Sequence, residues 1–167
     1  MLRHAMVVLA LSSLARADAA PERVPNVSVP GQQPSDTGHA LLQSARSLRC
    51  TFDTGTAGNL AANPVRLQHE RPLPTLEVFD AIDRATHTAR YITDAGVVQV
   101  QVITGDELLS FFDVNPATGS LEVTSVFPVL RPPPSRRQLL AVSSVHSSGA
   151  PGIRMATQDY GACAVLD

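Results

Sequence analysis

The stretch that decides the fold runs from Thr75 to Val129, TLEVFDAIDRATHTARYITDAGVVQVQVITGDELLSFFDVNPATGSLEVTSVFPV. Near its middle, Val98, Val100 and Val102 alternate with Gln99 and Gln101. A two-residue period puts alternate side chains on opposite faces of a pleated strand, here one dry face and one wet. Leu76, Val78 and Ile82 share a parity with Asp80, while Glu77, Phe79, Ala81 and Asp83 share the other. Thr88 to Thr93 is rich in β-branched and aromatic residues, Leu108 to Val114 is a short apolar run, and Leu121, Val123 and Phe127 alternate with Glu122 and Thr124. Turn signals divide these runs: Asp94-Ala95-Gly96, Thr104-Gly105-Asp106 and Asn115-Pro116-Ala117-Thr118-Gly119. Gly supplies a positive φ and Pro presets φ for a tight turn. Strands joined by loops this short pair antiparallel, since a parallel pair needs a long crossover. The expected fold is mainly β, an antiparallel meander whose concave apolar face is lined by Val98, Val100, Val102, Leu121 and Val123.

Working outward, the length of 167 residues suggests one folded domain. The 13 cationic residues are all Arg, and a formal net charge of −2 gives no reason to expect nucleic acid or an anionic membrane surface as partner. Residues 1–19 read as a secretory signal peptide: Arg3 and His4, an apolar run from Ala5 to Leu14, then Ala15-Arg16-Ala17 and Ala17-Asp18-Ala19 as small-x-small cleavage sites. That run is too short to span a bilayer, and no other stretch spans one. The reading is a periplasmic or secreted protein with no integral membrane segment after cleavage. Residues 20–45 form a Pro-rich leader ending in a short helix through His39 to Ala45, capped from Ser35-Asp36-Thr37.

Residues 46–167 hold the β domain. All of its aromatic side chains, 5 Phe and 2 Tyr with no Trp, fall between Phe52 and Tyr160, so the core is lean. The 2 cysteines, Cys50 and Cys163, stand at its two borders. In an exported chain their default state is a disulfide to each other. A bond there draws the first and last strands together and turns the meander into a small barrel or strongly coiled sheet, which hides the sheet edges. Pro128 to Pro134, with four prolines, reads as an exposed loop. Gln138 to His146, Met155 to Thr157 and Gly161 to Leu166 complete the strands.

Leu48-Arg49-Cys50-Thr51-Phe52 and Gln158-Asp159-Tyr160-Gly161-Ala162-Cys163 open and close the domain, with Phe79 to Asp83, Ala89-Arg90-Tyr91 and Val142 to His146 between them. The pattern resembles a group of short, exported, functionally uncharacterised bacterial β-proteins that pair an opening L-x-C-x-F with a closing Q-x-Y-G-x-C. That group more often has Arg before the His of the penultimate strand, where this chain has Val145. The resemblance implies fold and localisation, and no activity.

Four constellations bear on chemistry. Asp53-Thr54-Gly55-Thr56 matches the loop by which aspartic proteases present one of two proton-sharing carboxylates, and a short domain reaches two by dimerising. The residues before it, Arg49-Cys50-Thr51, are not the apolar strand such a loop follows, so the plainer expectation is a β-turn closed by Asp53. Ser144 and His146 point one way along a strand, without a third partner or a Gly-x-Ser-x-Gly elbow. Asp80 shares the parity of Leu76, Val78 and Ile82; if that face is interior, Arg90 on the next strand is its partner, in a structural or ligand-binding ion pair. His39, His69 and His87 are scattered without metal-ligand spacing. The sequence therefore points to no cofactor, no metal and no catalytic set. It favours an exported binding or interaction module for a small apolar ligand or an envelope protein, over a structural accessory domain or a retropepsin-like protease using Asp53.

Overall fold

Strands this closely spaced must each find a neighbour, and in the computed structural model they do so in chain order around a closed ring. The structure describes residues 35–60, 62, 64–70, 74–132, 137–148 and 154–166. The signal peptide expected at 1–19 and the leader up to 34 lie outside them. Helix α1 (Asp36–Ser44) precedes β1 (Leu48–Asn59), β2 (Arg66–Glu70), β3 (Thr75–Asp83), β4 (Thr88–Thr93) and β5 (Gly96–Thr104). Then come β6 (Leu109–Asn115), β7 (Ser120–Leu130), β8 (Gln138–Ser148) and β9 (Arg154–Val165). All pairings are antiparallel; β1 and β3 to β9 make an eight-stranded barrel, and β2 lies outside it.

The seam is the β1–β9 ladder, which runs from Leu48↔Val165 to Asn59↔Met155. Within it Cys50 and Cys163 are direct partners, disulfide-bonded across 113 residues of chain and fully buried. The expected covalent tie and the expected barrel are therefore the same feature. A bulge between Phe52 and Thr54 flips the parity of β1, so Phe52 and Gly55 both face inward. The protease-like triplet is this bulge, with the strand running on through it rather than ending in a turn. Asp53 is exposed there, 3.3 Å from the Arg131 guanidinium.

Two further bulges reset expectations. Ala81 takes φ 48°, and the β3–β4 register slips between Asp80 and Asp83. Glu77 and Phe79 face in below the slip, and Ile82 faces in above it. The interior parity of β3 is thus the opposite of the one that carries Asp80. Asp80 and Arg90 do pair, at 2.8 and 2.7 Å, but on the outer surface. On β7, Thr124 and Val126 are buried, so Leu121 and Val123 point outward and do not line the barrel as expected. Pro128 lies within β7, not in a loop, where the β7–β8 register slips between Val126 and Leu130 and no ladder bond is required of it.

Helix α1 closes one end. Ser35 caps it by accepting from the Gly38 N–H at 3.0 Å. Leu42 and Ala45 insert into the core. Arg84, at the β3–β4 turn, donates to the carbonyls of Leu42 (2.6 Å) and Ala45 (2.9 Å), satisfying groups that a helix C-terminus leaves open. Gly38 is needed because a Cβ there would strike the Pro128 carbonyl. Above the helix the lumen is filled by Leu48, Leu109, Val126 and Leu139, then by a stack of Phe111 on Phe79 (4.0 Å) on Tyr91 (4.9 Å).

Replacing both cysteines, Cys50→Ala with Cys163→Ala, restores a long unconstrained loop to the unfolded chain. Urea denaturation is expected to show a loss of about 4 kcal/mol relative to the oxidised protein, with the β circular-dichroism signal retained at low urea.

Candidate functional site

Among the described residues, nothing caps the end of the barrel opposite α1 as that helix caps the other. Along the inward face of β5, exposure rises from 2% at Val100 to 43% at Val98 within one step of the alternation. On one side the wall continues beyond this rim, because β1, β8 and β9 are longer than β4 and β6, and β2 pairs with the overhang of β1 through Gly55↔Glu70 to Asn59↔Arg66. The concave side of that overhang holds a hollow of about 220 Å³ bordered by Ala57, Asn59, Arg66, Gln68 and Met155.

At the floor of the open end the barrel is lined with acids and hydroxyls. The register puts Phe111, Thr124, Ser143, Asp159 and Gly55 on one inward rung, with Asp113, Glu122 and Val145 on the next rung toward the rim. Glu77 reaches this level from β3 and is 2% exposed. Thr124 Oγ1 donates to Glu77 Oε2 at 2.6 Å and lies 3.3 Å from Ser143 Oγ; Ser143 in turn donates to Glu122 Oε1 at 3.4 Å. The two hydroxyls thus link the two glutamates into one chain of side chains, Glu77–Thr124–Ser143–Glu122. Gly55 makes room for this level: a Cβ there would collide with the Asp159 carboxylate.

A carboxyl sealed from water resists ionisation, and a second carboxylate nearby resists it further. Burial pushes the Glu77 carboxyl up to about 8, with the nearby Glu122 charge adding to it and the Thr124 and Ser143 hydrogen bonds pulling against it. Glu122 is also raised, first by burial. Tyr91 roofs the aromatic stack beneath, and its phenol is held neutral by burial first and by Glu77, Glu122 and Asp113 next. The result is a buried acid under a half-buried carboxylate that meets solvent.

Such a pair has the components of general acid–base chemistry, but a reacting group must touch the substrate. Glu77 is sealed, so the exchange of a proton with a bound molecule would pass through Glu122 alone. Among the described residues no three His, Cys, Asp or Glu side chains are placed to hold a metal ion.

The residues singled out from sequence fall elsewhere. Cys50 and Cys163 lie on the seam below the acids. Asp53 faces outward on the β1 bulge, and Asp80 and Arg90 sit on the outer surface. Ser144 and His146 alternate out of the barrel, whereas their neighbour Ser143 turns in. What sequence reasoning missed is Glu77, Glu122, Thr124 and Ser143. The available signal was the polar parity of β7, Glu122 and Thr124, facing the same way as Ser143 once β7 and β8 are paired. No family model, no curated protein and no solved structure matches the chain. Among the described residues no helix is long and apolar enough to cross a membrane.

Stability should report the Glu77 proton. The unfolded chain releases the Glu77 proton near its ordinary value of 4.5, while the folded chain keeps it to about 8. The folded state therefore binds more protons between those values, and its stability is full below pH 4.5 and falls as pH rises toward 8. Glu77→Gln retains the size and donor capacity of the protonated acid. Thermal unfolding from pH 5 to 8 is expected to show a melting temperature that drops with pH in the native protein and a flatter profile in the variant.

Proposed function

We propose that the protein is an exported, non-catalytic binding module that takes its ligand at the open end of the barrel. The observation that carries this reading is the chain of polar side chains Glu77, Thr124, Ser143 and Glu122 on the floor of that opening. A buried carboxyl group opposes folding unless it is fully satisfied, and an apolar pair of the same volume fills a lumen at lower free energy. Groups of this kind concentrate at functional sites. With Leu121 and Val123 turned outward, the rim offers Glu122 and Asp113 above the Tyr91 ring rather than an apolar cup. The fitting ligand is small and presents a cationic or donor-rich head, such as an organic ammonium group, to Glu122 and Asp113. An interior that is packed from α1 up to the aromatic stack leaves the ligand shallow, at the rim.

Export is supported by the Cys50–Cys163 bond, since disulfides persist in oxidising compartments. The likeness to short exported β-proteins with the same paired cysteine motifs points the same way.

Amide chemical-shift titration with choline and with spermidine, against glucose as an uncharged control, tests the proposal. Shifts are expected at Tyr91, Asp113 and Glu122 for the cations, and Glu122→Gln with Asp113→Asn should weaken them about tenfold, the equivalent of one lost charge-assisted hydrogen bond. Shifts confined to the outer face, or equal shifts with glucose, would overturn it.

A further inference from the structure

Beyond the barrel mouth, one edge of the wall has no strand against it among the described residues. β2 pairs with β1 along one edge, and among the described residues no strand pairs with the other. Half of the backbone N–H and C=O groups of an edge strand point outward, ready to template a further strand. β2 also carries Leu67, 78% exposed and the most exposed of the large apolar side chains described. Leu67 packs over Gly58 on one face of the ribbon, while Arg66 and Gln68 border the hollow on the other.

The sequence of this edge is self-complementary. β2 reads Arg66-Leu67-Gln68-His69-Glu70. If a second copy is laid antiparallel beside it on a two-fold axis through Gln68, Arg66 of each copy stands opposite Glu70 of the other. Gln68 faces Gln68, and Leu67 faces His69. Opposite charges directly across an antiparallel pair are favourable, and like charges there are unfavourable. The same axis sets the two Leu67 side chains at the diagonal position, roughly 7 to 8 Å apart, within reach of each other. Moving the axis by half a step breaks this: Arg66 would then face His69, and Leu67 would face Gln68. One register thus satisfies the charges and covers the exposed leucines together.

We propose that β2 is a homodimerisation edge, and that the partner it fits is β2 of a second copy of this chain. The pairing is isologous, so the contact closes on itself at two copies and does not propagate into a fibre. It joins the ribbons of two barrels into one continuous sheet, with both open ends left free. An edge of five residues buries little area, so the dimer is a weak, concentration-dependent one in the micromolar range.

Sedimentation velocity on the intact, oxidised protein across the micromolar range tests this with three variants. The native protein is expected to shift from monomer to dimer. Arg66→Glu puts like charges opposite each other twice per dimer and should weaken association about tenfold. Adding Glu70→Arg to Arg66→Glu swaps the charges and should restore it. Leu67→Ser, at a solvent-facing position, should weaken association while leaving the melting temperature of the monomer unchanged. A protein that stays monomeric throughout, a dimer indifferent to Arg66→Glu, or a charge swap that fails to rescue would overturn the proposal. So would β2 amides already protected from hydrogen exchange in the monomer, because the edge would then be covered from within the same chain.

Discussion

The pairing of β1 with β9 is the contact on which the rest of the structure depends. Every other ladder joins strands that are consecutive in the chain, or nearly so, and forms with short loops. The seam joins residues 113 apart. Long-range closure is the entropically expensive step of a barrel, because the chain between must be held before the contacts reward it. The Cys50–Cys163 bond sits inside that seam, among direct ladder partners, and removes much of this entropy from the unfolded chain. It is also what brings Gly55 against Asp159 and so completes the rung at the floor of the open end. The fold's closure and the candidate site therefore rest on one ladder.

The interior is divided into two kinds of packing. Toward α1 it is apolar and filled, ending in the Phe111–Phe79–Tyr91 stack. Above the stack it becomes acidic within two steps along β7, from Val126 through Thr124 to Glu122. This polar layer opposes stability more strongly as pH rises, since Glu77 must stay protonated in a site that water does not reach. A chain selected for stability alone would place Leu or Val at these positions. The apolar residues of β7 are instead on the outside, where Phe127 and Val129 join Leu140, Val142 and Tyr160 around an outer groove of about 420 Å³. The inversion is local to β6–β8; on β5 the dry face points in, as its alternation implies.

That contrast explains what could be read from sequence. The Val98, Val100, Val102 period on β5 and the Asn115 to Gly119 hairpin gave strand positions and antiparallel order, because both reflect local geometry. The two cysteines gave closure, because a covalent bond needs no knowledge of the intervening path. Which face of β3 and β7 points inward was not legible. On β3 the answer turns on a bulge at Ala81, a residue with no intrinsic preference for φ 48°. On β7 it turns on partners: Thr124 faces in because Ser143 and Phe111 beside it face in. Parity rules assume that the apolar set is interior, and the site lies where that assumption fails. The strand β2 escaped notice for a related reason. Its five residues are polar on both faces except for Leu67, so periodicity has nothing to register.

Strand length ties the mouth of the barrel to its edge. β4 spans 6 residues, while β1 and β9 span 12 each. A barrel closes only as high as its shortest neighbours allow, so the upper half of β1 stands clear of β3 and β4. An overhang of this kind shields one side of the opening, but it also leaves the backbone of β1 in need of a partner, which β2 supplies. The exposed edge is then passed on to β2 rather than removed. Proteins commonly blunt such an edge with charge, and β2 does carry Arg66 and Glu70 at its ends. Charges of one sign at both ends would repel a second copy. Opposite signs, symmetric about Gln68, do not. The overhang at the open end and the edge carried by β2 are two consequences of the same mismatch in strand length.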